Sequence, residues 1–590
     1  MSYFLPETDP VLTAARGLAL AHPGVVAVHT GPLFLRARDP HPARRVGLVS
    51  GGGSGHEPLH TGLLGRGGLD AVCPGEIFAS PHNGQIYAAG TAAAKDGGVL
   101  FIVKNYTGDV INFQIAAERL RHDGIPVASV LVDDDLATDA EDSATGRRGT
   151  AATVVLEKLL GAAADRGASL EELAELGTRI VARSRSVAVA ARAQTSPATA
   201  APAFTLEPGV LDYGVGIHGE RGTRALARPA AGDLVRRMTD DLLDALPEGP
   251  DDVLAVVNGL GGTTELELHA LGALLSGELA ARGLRPAQLV VGTFTAALDM
   301  AGFSLTLTRL EEGWSELWAA PTETPLVLPR PASGAAAESG AAQQSGTGAV
   351  PQRAAPAPQE PTAAAPQGTG GRAVLDRYAE IVTQVRDNLT QLDQLVGDGD
   401  FGDNLTGGVR RAVKLADESG SEGLAALAQA FLDDVGGTSG PLFGLLFQHL
   451  AAAPGADGGA EAQGAPPLAE LAGAAEAAHA AIHRVGGARP GDCTLVDALA
   501  PAAESLASSA AEGAAEEAPL TSAAQAAIRG ALGTASVRPR RGRASYVGDH
   551  ALGVPDPGAL AVALLFAALA DVHEPAMAAR LPAPGYLTVR

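Results

Sequence analysis

The chain has 590 residues, of which 46% are hydrophobic and 19% charged, with a formal net charge of -24. That length exceeds what one hydrophobic core organises and predicts several domains. So acidic a balance excludes non-specific nucleic-acid binding, which needs a basic patch to neutralise phosphates.

Residues 45–50 read as an apolar strand running into Gly51-Gly52-Gly53-Ser54-Gly55-His56-Glu57-Pro58. A second strand, 98–103, leads through Asn105-Tyr106-Thr107-Gly108-Asp109 into a helix ending near Arg121, and 127–132 is a third. Strand, helix, strand over about 35 residues is a βαβ unit and implies a parallel or mixed sheet. The pattern recurs with strands at 253–257, 289–294 and 303–307 and a helix at 264–282, which predicts a second α/β subdomain. From Arg330 to Gly371 the composition shifts to Ala, Pro, Gln, Gly, Ser and Thr, too poor in large apolar groups to offset its ordering entropy, so a flexible linker is expected. Beyond it strand signals nearly vanish. Eight helical segments follow, at 374–392, 404–415, 423–435, 440–452, 467–481, 495–512, 521–533 and 559–570, and predict an all-α bundle or barrel.

The N-terminus lacks the basic and apolar regions of a signal peptide, and the apolar run at 560–570 is about half of a membrane span. A soluble, cytoplasmic protein with no membrane partner is expected. Cys73 and Cys493 make neither a disulfide framework nor a ligand spacing, and read as small buried residues.

Asp393, Asp398 and Asp400, the last two inside Gly397-Asp398-Gly399-Asp400-Phe401-Gly402, put three carboxylates at spacings of five and two. Asp393 reads as the end of a helix and 397–402 as a turn. Such a set either holds Mg2+ against phosphate oxygens or is a solvated acidic turn. The glycines at 51–55 follow a strand and allow close backbone approach to a ligand, but no Walker Lys-Ser/Thr follows. His56 and Asp109 lie where strands end and suit general acid/base work, unless the glycines are an ordinary turn and the histidine structural. His218, in Gly214-Val215-Gly216-Ile217-His218-Gly219-Glu220, is either a nucleophile toward a carbonyl or a hydrogen-bonding group. His60, His82 and His550 read as surface or packing residues. Gly436-Gly437-Thr438-Ser439-Gly440 opens a helix and serves phosphate binding or simple capping. Loops at 487–494 and 542–546 are able to close over a nucleotide, and Asp556-Pro557-Gly558 precedes the last helix as a cap.

Together these motifs resemble the two-domain, ATP-dependent dihydroxyacetone (glycerone) kinases. Those that carry the likeness are GGGSGHEP (51–58), PGEIFASP (74–81), KNYTGD (104–109), GVGIHGE (214–220) and NGLGGTTELEL (258–268), then LDQLVGDGDFGDN (392–404), GGTSGPLFG (436–444), GARPGDCTLVDAL (487–499), GRASY (542–546) and DPGA (556–559). The resemblance implies a ketone-binding α/β domain over 1–328, made of two subdomains with mixed sheets, a linker at 329–371, and an eight-helix ATP-binding domain over 372–590. It implies that His218 forms a hemiaminal with the ketone carbon, and that Gly53, Ser54, Lys104 and Asp109 bind the substrate. His56 and Asp109 would assist removal of the hydroxyl proton. Asp393, Asp398 and Asp400 would hold two Mg2+ ions on ATP, with nucleotide contacts from Asn404, Gly437, Thr438, Ser439, Gly491, Asp492, Thr494, Arg543, Asp556 and Gly558. It also implies a homodimer in which the kinase domain of one chain serves the substrate domain of its partner. Phe401 departs from the pattern, since many members carry His directly after the last metal aspartate, and the linker is longer than the family suggests.

Within this class the acceptor is dihydroxyacetone, glyceraldehyde or a four-carbon ketose such as erythrulose, and a side cleavage of FAD to cyclic FMN is compatible with the motifs. Fusion of the two domains favours ATP over a phosphotransferase-system protein as donor. The rival class, a ketose sensor, would need His218 but not His56, Asp109 and the three aspartates; all five are present, which favours the kinase.

Overall fold

The computed structural model describes every residue except 1–2, 7, 139–145, 196–200, 220–221, 330–371, 397–400, 436–438, 457–466, 513–517, 542–550 and 583–590. Helix α1 (Pro10–Ala21) precedes a hairpin of β1 (Val26–Thr30) and β2 (Leu33–Ala37). Then follow β3 (Gly47–Ser54), β4 (Ala71–Ile77), α2 (Asn83–Ala93), β5 (Val99–Lys104), α3 (Thr107–His122) and β6 (Val127–Val132). These strands form one mixed sheet in the order β1-β2-β4-β3-β5-β6, antiparallel through β1, β2 and β4 and parallel from β4 to β6. Strands β3 and β5 are buried at every residue, which is why they read as unbroken apolar or small-residue runs.

Helices α4 (Ala152–Asp165) and α5 (Leu170–Ala182) lead into a second sheet. It comprises β7 (Ser184–Arg192), β8 (Val210–Tyr213) and β9 (Arg224–Ala227), then, after α6 (Ala231–Ala245), β10 (Asp252–Gly259). After α7 (Glu265–Ala281) come β11 (Arg285–Gly292), β12 (Ala301–Arg309) and α8 (Trp314–Ala319). Its order is β11-β10-β12-β7-β8-β9, and only the β10–β11 pair is parallel. Every residue of α4 from Ala152 to Ala164 is buried. One apolar cluster runs from Val26 and Leu48 of the first sheet through Leu156 and Leu160 of α4 to Leu254 and Val256 of the second. The two sheets therefore share a core, and their facing loops are held in fixed relation.

The second half is helical, as the vanishing strand signal predicts: α9 (Ala373–Val396), α10 (Phe401–Ser419), α11 (Gly423–Asp433), α12 (Ser439–Ala451), α13 (Leu468–Gly486), α14 (Val496–Glu512), α15 (Pro519–Gly533), α16 (Pro557–His573) and the short α17 (Pro575–Ala578). From α9 to α16 each helix packs on the next, and α16 packs back on α9, closing an eight-membered ring. The run at 560–570 belongs to α16, whose residues from Ala559 to Phe566 are all buried. It is apolar all round because it is a core helix, and no described helix is long and apolar enough to cross a membrane.

Two local expectations change. Asp393 lies inside α9, three residues before its end, and Phe401 and Gly402 open α10 rather than finishing a turn. The cause is close helix packing. A Cβ at Gly402 would lie 2.3 Å from Thr390 Oγ1 and 2.4 Å from the Arg386 carbonyl oxygen, so the glycine serves the α9–α10 contact. Residues 397–400, with Asp398 and Asp400, lie outside the described residues.

Candidate active site

The glycines at the end of β3 belong to the strand and do not form a free phosphate loop. A Cβ at Gly51 would sit 2.4 Å from the Cys73 carbonyl oxygen, and one at Gly53 would meet Phe78 Cα and Ala79 N at 2.9 Å. At Gly52 it would lie 2.2 Å from the Nζ of Lys104. The glycines thus let β4 and one buried ammonium press against the strand. Ser54, the next residue, donates its hydroxyl to the Gly75 carbonyl (2.7 Å), which commits it to the sheet.

Two of the predicted histidines meet beyond that strand end. His56 is buried, with Nδ1 2.8 Å from the Ala296 carbonyl oxygen and Nε2 3.0 Å from Nε2 of His218. A carbonyl only accepts, so His56 Nδ1 carries the proton, and its Nε2 accepts the proton of His218 Nε2. Burial, with the charges of His218 and Lys104 adding, holds His56 well below the ordinary imidazole range. Phe78 stacks on His56 at 5.2 Å, and Tyr106 packs edge-on against His218 at 4.4 Å between centroids. The Ala296 carbonyl is positioned by Asn258, whose Oδ1 accepts from Phe294 N and Thr295 N at 2.8 Å and whose Nδ2 donates to Thr295 O. Phe78, Tyr106 and Asn258 were not singled out in the sequence, although each lies within a recognised motif.

Lys104 ends β5 and is fully buried. Its Nζ is 2.8 Å from His60 Nε2 and 3.9 Å from Asp109 Oδ2, Asp109 being buried in the first turn of α3. Asp109 Oδ1 is buried without a protein hydrogen-bond partner. His60 therefore departs from the packing role expected of it, and His82 caps α2 through its Nδ1. His550 lies outside the described residues.

In the helical ring, Asp497 organises the loop before α14: its carboxylate accepts from Gly491 N (2.6 Å) and Thr494 N (2.8 Å). Gly491 occupies the left-handed region at φ 93, and the neighbouring Asp492 accepts from Arg489 N. Asp556 is the N-cap of α16, bonded to Ala559 N at 2.7 Å, with Gly558 beneath it. Desolvation, reinforced by the carboxylates of Asp497 and Asp393 against the opposing Ala559 bond, pushes Asp556 up to about 7. Asp393, which accepts from Phe401 N, thus shares one electrostatic site with the 491–497 loop and the start of α16. This donor set is all carboxylate oxygen, which suits Mg2+. Among the described residues no three side chains converge on a metal position. Asn404 is exposed on α10; Gly437, Thr438 and Arg543 lie outside the described residues, and α12 begins at Ser439.

The two halves touch along α3. Ile111 and Ile115 pack with Leu432, Leu442, Leu445 and Val485. Around this patch Arg484 grips Glu118 with both arms (2.8 and 2.6 Å), Arg119 pairs with Asp433 (2.9 Å), and Asn83 Nδ2 donates to Leu432 O. Burial alone would raise Glu118, but the guanidiniums of Arg484 and Arg121 outweigh it and hold the carboxyl below its ordinary range. Ile111 is two residues past Asp109 and Leu442 three past Ser439, so the start of α3 abuts the start of α12.

A Dak1 domain model matches residues 16–326 and a DAK2 domain model residues 395–571. The chain is similar to the triokinase/FMN cyclase of Homo sapiens, 36% identical over 579 residues, covering 95% of this chain and 97% of that protein. It is 34% identical over 584 residues to the L-erythrulose 1-kinase of Mycolicibacterium smegmatis, covering 97% and 99%. Among solved structures it resembles the dihydroxyacetone kinase from C. freundii in complex with AMP-PNP and Mg2+, at 30% identity and a TM-score of 0.52 over 97% of this chain and 99% of that one.

Proposed function

This chain belongs to the two-domain dihydroxyacetone kinase family and is a kinase, and from that premise we propose that it phosphorylates dihydroxyacetone to dihydroxyacetone phosphate with ATP and Mg2+. The observation that carries the reading is the 3.0 Å contact between His56 and His218. To bond a carbonyl carbon, His218 Nε2 must give up its proton, and His56 Nε2 is the acceptor beside it. Because burial makes His56 a weak base, the proton passes on to the carbonyl oxygen. The product is a neutral hemiaminal, with N–C and O–H bonds formed and one N–H and the C=O π bond broken. Glycerol has no carbonyl and is excluded.

The terminal hydroxyl of the held ketone then attacks the γ-phosphorus, ADP leaves, and Asp109 takes the hydroxyl proton. The bare Asp109 Oδ1 supports that role. The ammonium of Lys104 stands close enough to bind the same hydroxyl. Asp393, Asp398 and Asp400 would hold two Mg2+ ions, which neutralise charge on the phosphates when bound. The segments 436–439, 491–494 and 542–546 and the start of α16 would hold the nucleotide. We further propose a homodimer in which the α3 contact forms between chains as well as within one.

The relatives include erythrulose kinases and triokinases, so the test is ADP release with Mg2+ and ATP across dihydroxyacetone, D- and L-erythrulose, glyceraldehyde and glycerol. The expected result is turnover of dihydroxyacetone and none of glycerol. Turnover of no ketone overturns the reading. His218→Ala should abolish the mass increment of ketone capture and cut kcat/KM at least 100-fold, a loss of about 3 kcal/mol in transition-state stabilisation.

A further inference from the structure

Behind the ketone site four elements converge on one buried lysine. Lys104 of β5, Ser50 of β3, His60 of the following loop and Glu157 of α4 are each no more than 4% exposed. An ammonium buried this deeply is costly unless paired. Yet its nearest carboxylate, Asp109, stands 3.9 Å away, and its short contact is the 2.8 Å bond to His60 Nε2. An ammonium only donates, so His60 Nε2 accepts and the ring proton of the neutral imidazole sits on Nδ1. That proton faces Glu157 Oε1 at 2.5 Å and Ser50 Oγ at 2.9 Å. Ser50 already donates its own proton to the Ile102 carbonyl (2.8 Å), so its oxygen is left to accept. Every bond runs in one consistent direction, from Lys104 through His60 to Glu157.

We propose that Glu157 and His60 form a buried strut that fixes the Lys104 ammonium under Gly52 and beside Asp109, making both positioning residues for phosphoryl acceptance. The inference rests on the acceptor-site reading of Lys104 and Asp109 given above. Geometry supports a functional strut over a packing one. The ammonium occupies the space that a Cβ at position 52 would take, so only glycine admits it there. The 3.9 Å gap leaves the Asp109 carboxylate without a direct bond to the ammonium, and its Oδ1 is bare. Were Lys104 to move toward Asp109 and bond it directly, that acceptor would be consumed.

The test compares full-length wild type, Glu157→Ala, Glu157→Gln and His60→Gln in kcat, KM for dihydroxyacetone, KM for Mg-ATP and thermal midpoint, alongside the ring nitrogen-15 signals of His60. Glu157→Ala and His60→Gln should lower kcat/KM for the ketone at least tenfold per folded molecule, with KM for ATP within twofold. Glu157→Gln keeps an acceptor for the His60 N–H, and should return to within threefold of wild type. The wild-type ring should show the Nδ1–H tautomer and lose it in Glu157→Ala. If Glu157→Ala does not fold, His60→Gln against Glu157→Gln carries the comparison. Losses that only track the folded fraction, or a wild-type ring protonated on Nε2, overturn the strut. A wild type inactive on every ketone refutes the proposed function and this role with it, whereas an active wild type with unaffected variants refutes the strut alone.

Discussion

A Cβ at position 52 would lie 2.2 Å from Lys104 Nζ, so Gly52→Ala should displace the ammonium by roughly an ångström and lower kcat about 100-fold while the far-ultraviolet spectrum is retained. Glu157 makes a second residue-level prediction. Burial pushes its carboxyl from 4.5 up to about 8, against the opposing charge of Lys104. The folded chain thus keeps a proton that the unfolded chain releases. The contribution of Glu157 to stability is greatest below pH 4.5 and is lost as pH rises toward 8. Thermal midpoints measured from pH 5 to 8 should fall less steeply in Glu157→Gln than in wild type. Neither residue's role was legible in the sequence. His60 has its partners at positions 50, 104 and 157, on three different elements, and nothing local announces them. His56 and His218 were legible because each stands in a glycine-rich motif. Their mutual contact, which depends on two sheets sharing α4, was not.

At the scale of elements, α3 is the piece on which most depends. The sequence reveals it because its flanking strands are clear apolar runs, whereas β4 is hidden: its Ala71–Ile77 sequence contains Pro74 and Gly75 and reads as a turn. Helix α4 is hidden for the opposite reason, since a segment buried all round shows no periodicity. Contacts along α3 make the docking testable. Arg484→Glu sets a carboxylate against the buried Glu118 and should part the domains in small-angle scattering. It should lower kcat about tenfold and leave ketone binding, followed by mass spectrometry, unchanged. A variant that keeps full kcat would show that the α3 contact is not used in turnover.

For the whole molecule, the ring of α9 to α16 and the paired sheets are separate cores, and the Ala/Pro-rich composition between them marked the division plainly in the sequence. Ring closure by α16 against α9 was not legible, because a run of apolar helices does not state which ends meet. The proposed exchange of domains in a homodimer predicts complementation. Mixing His218→Ala chains with Asp393→Ala chains, each inactive alone, should restore ADP release as intact acceptor and donor halves meet across chains. No recovery at any concentration would confine the reaction to a single chain.

Helix α3 carries Asp109, the proposed proton acceptor, in its first turn, and Glu118 and Arg119 at the start of its last, so that carboxylate and the docking grip stand on one rod about 15 Å apart. Under the proposed function the helix works as a jig: once the grip closes, the reach from donor phosphate to acceptor hydroxyl would be set by its length and not by the chain joining the halves. Severing that chain should therefore cost encounter frequency and leave the alignment intact. The two halves made as separate polypeptides should approach the turnover number of the fused protein once each is present in excess of their mutual dissociation constant.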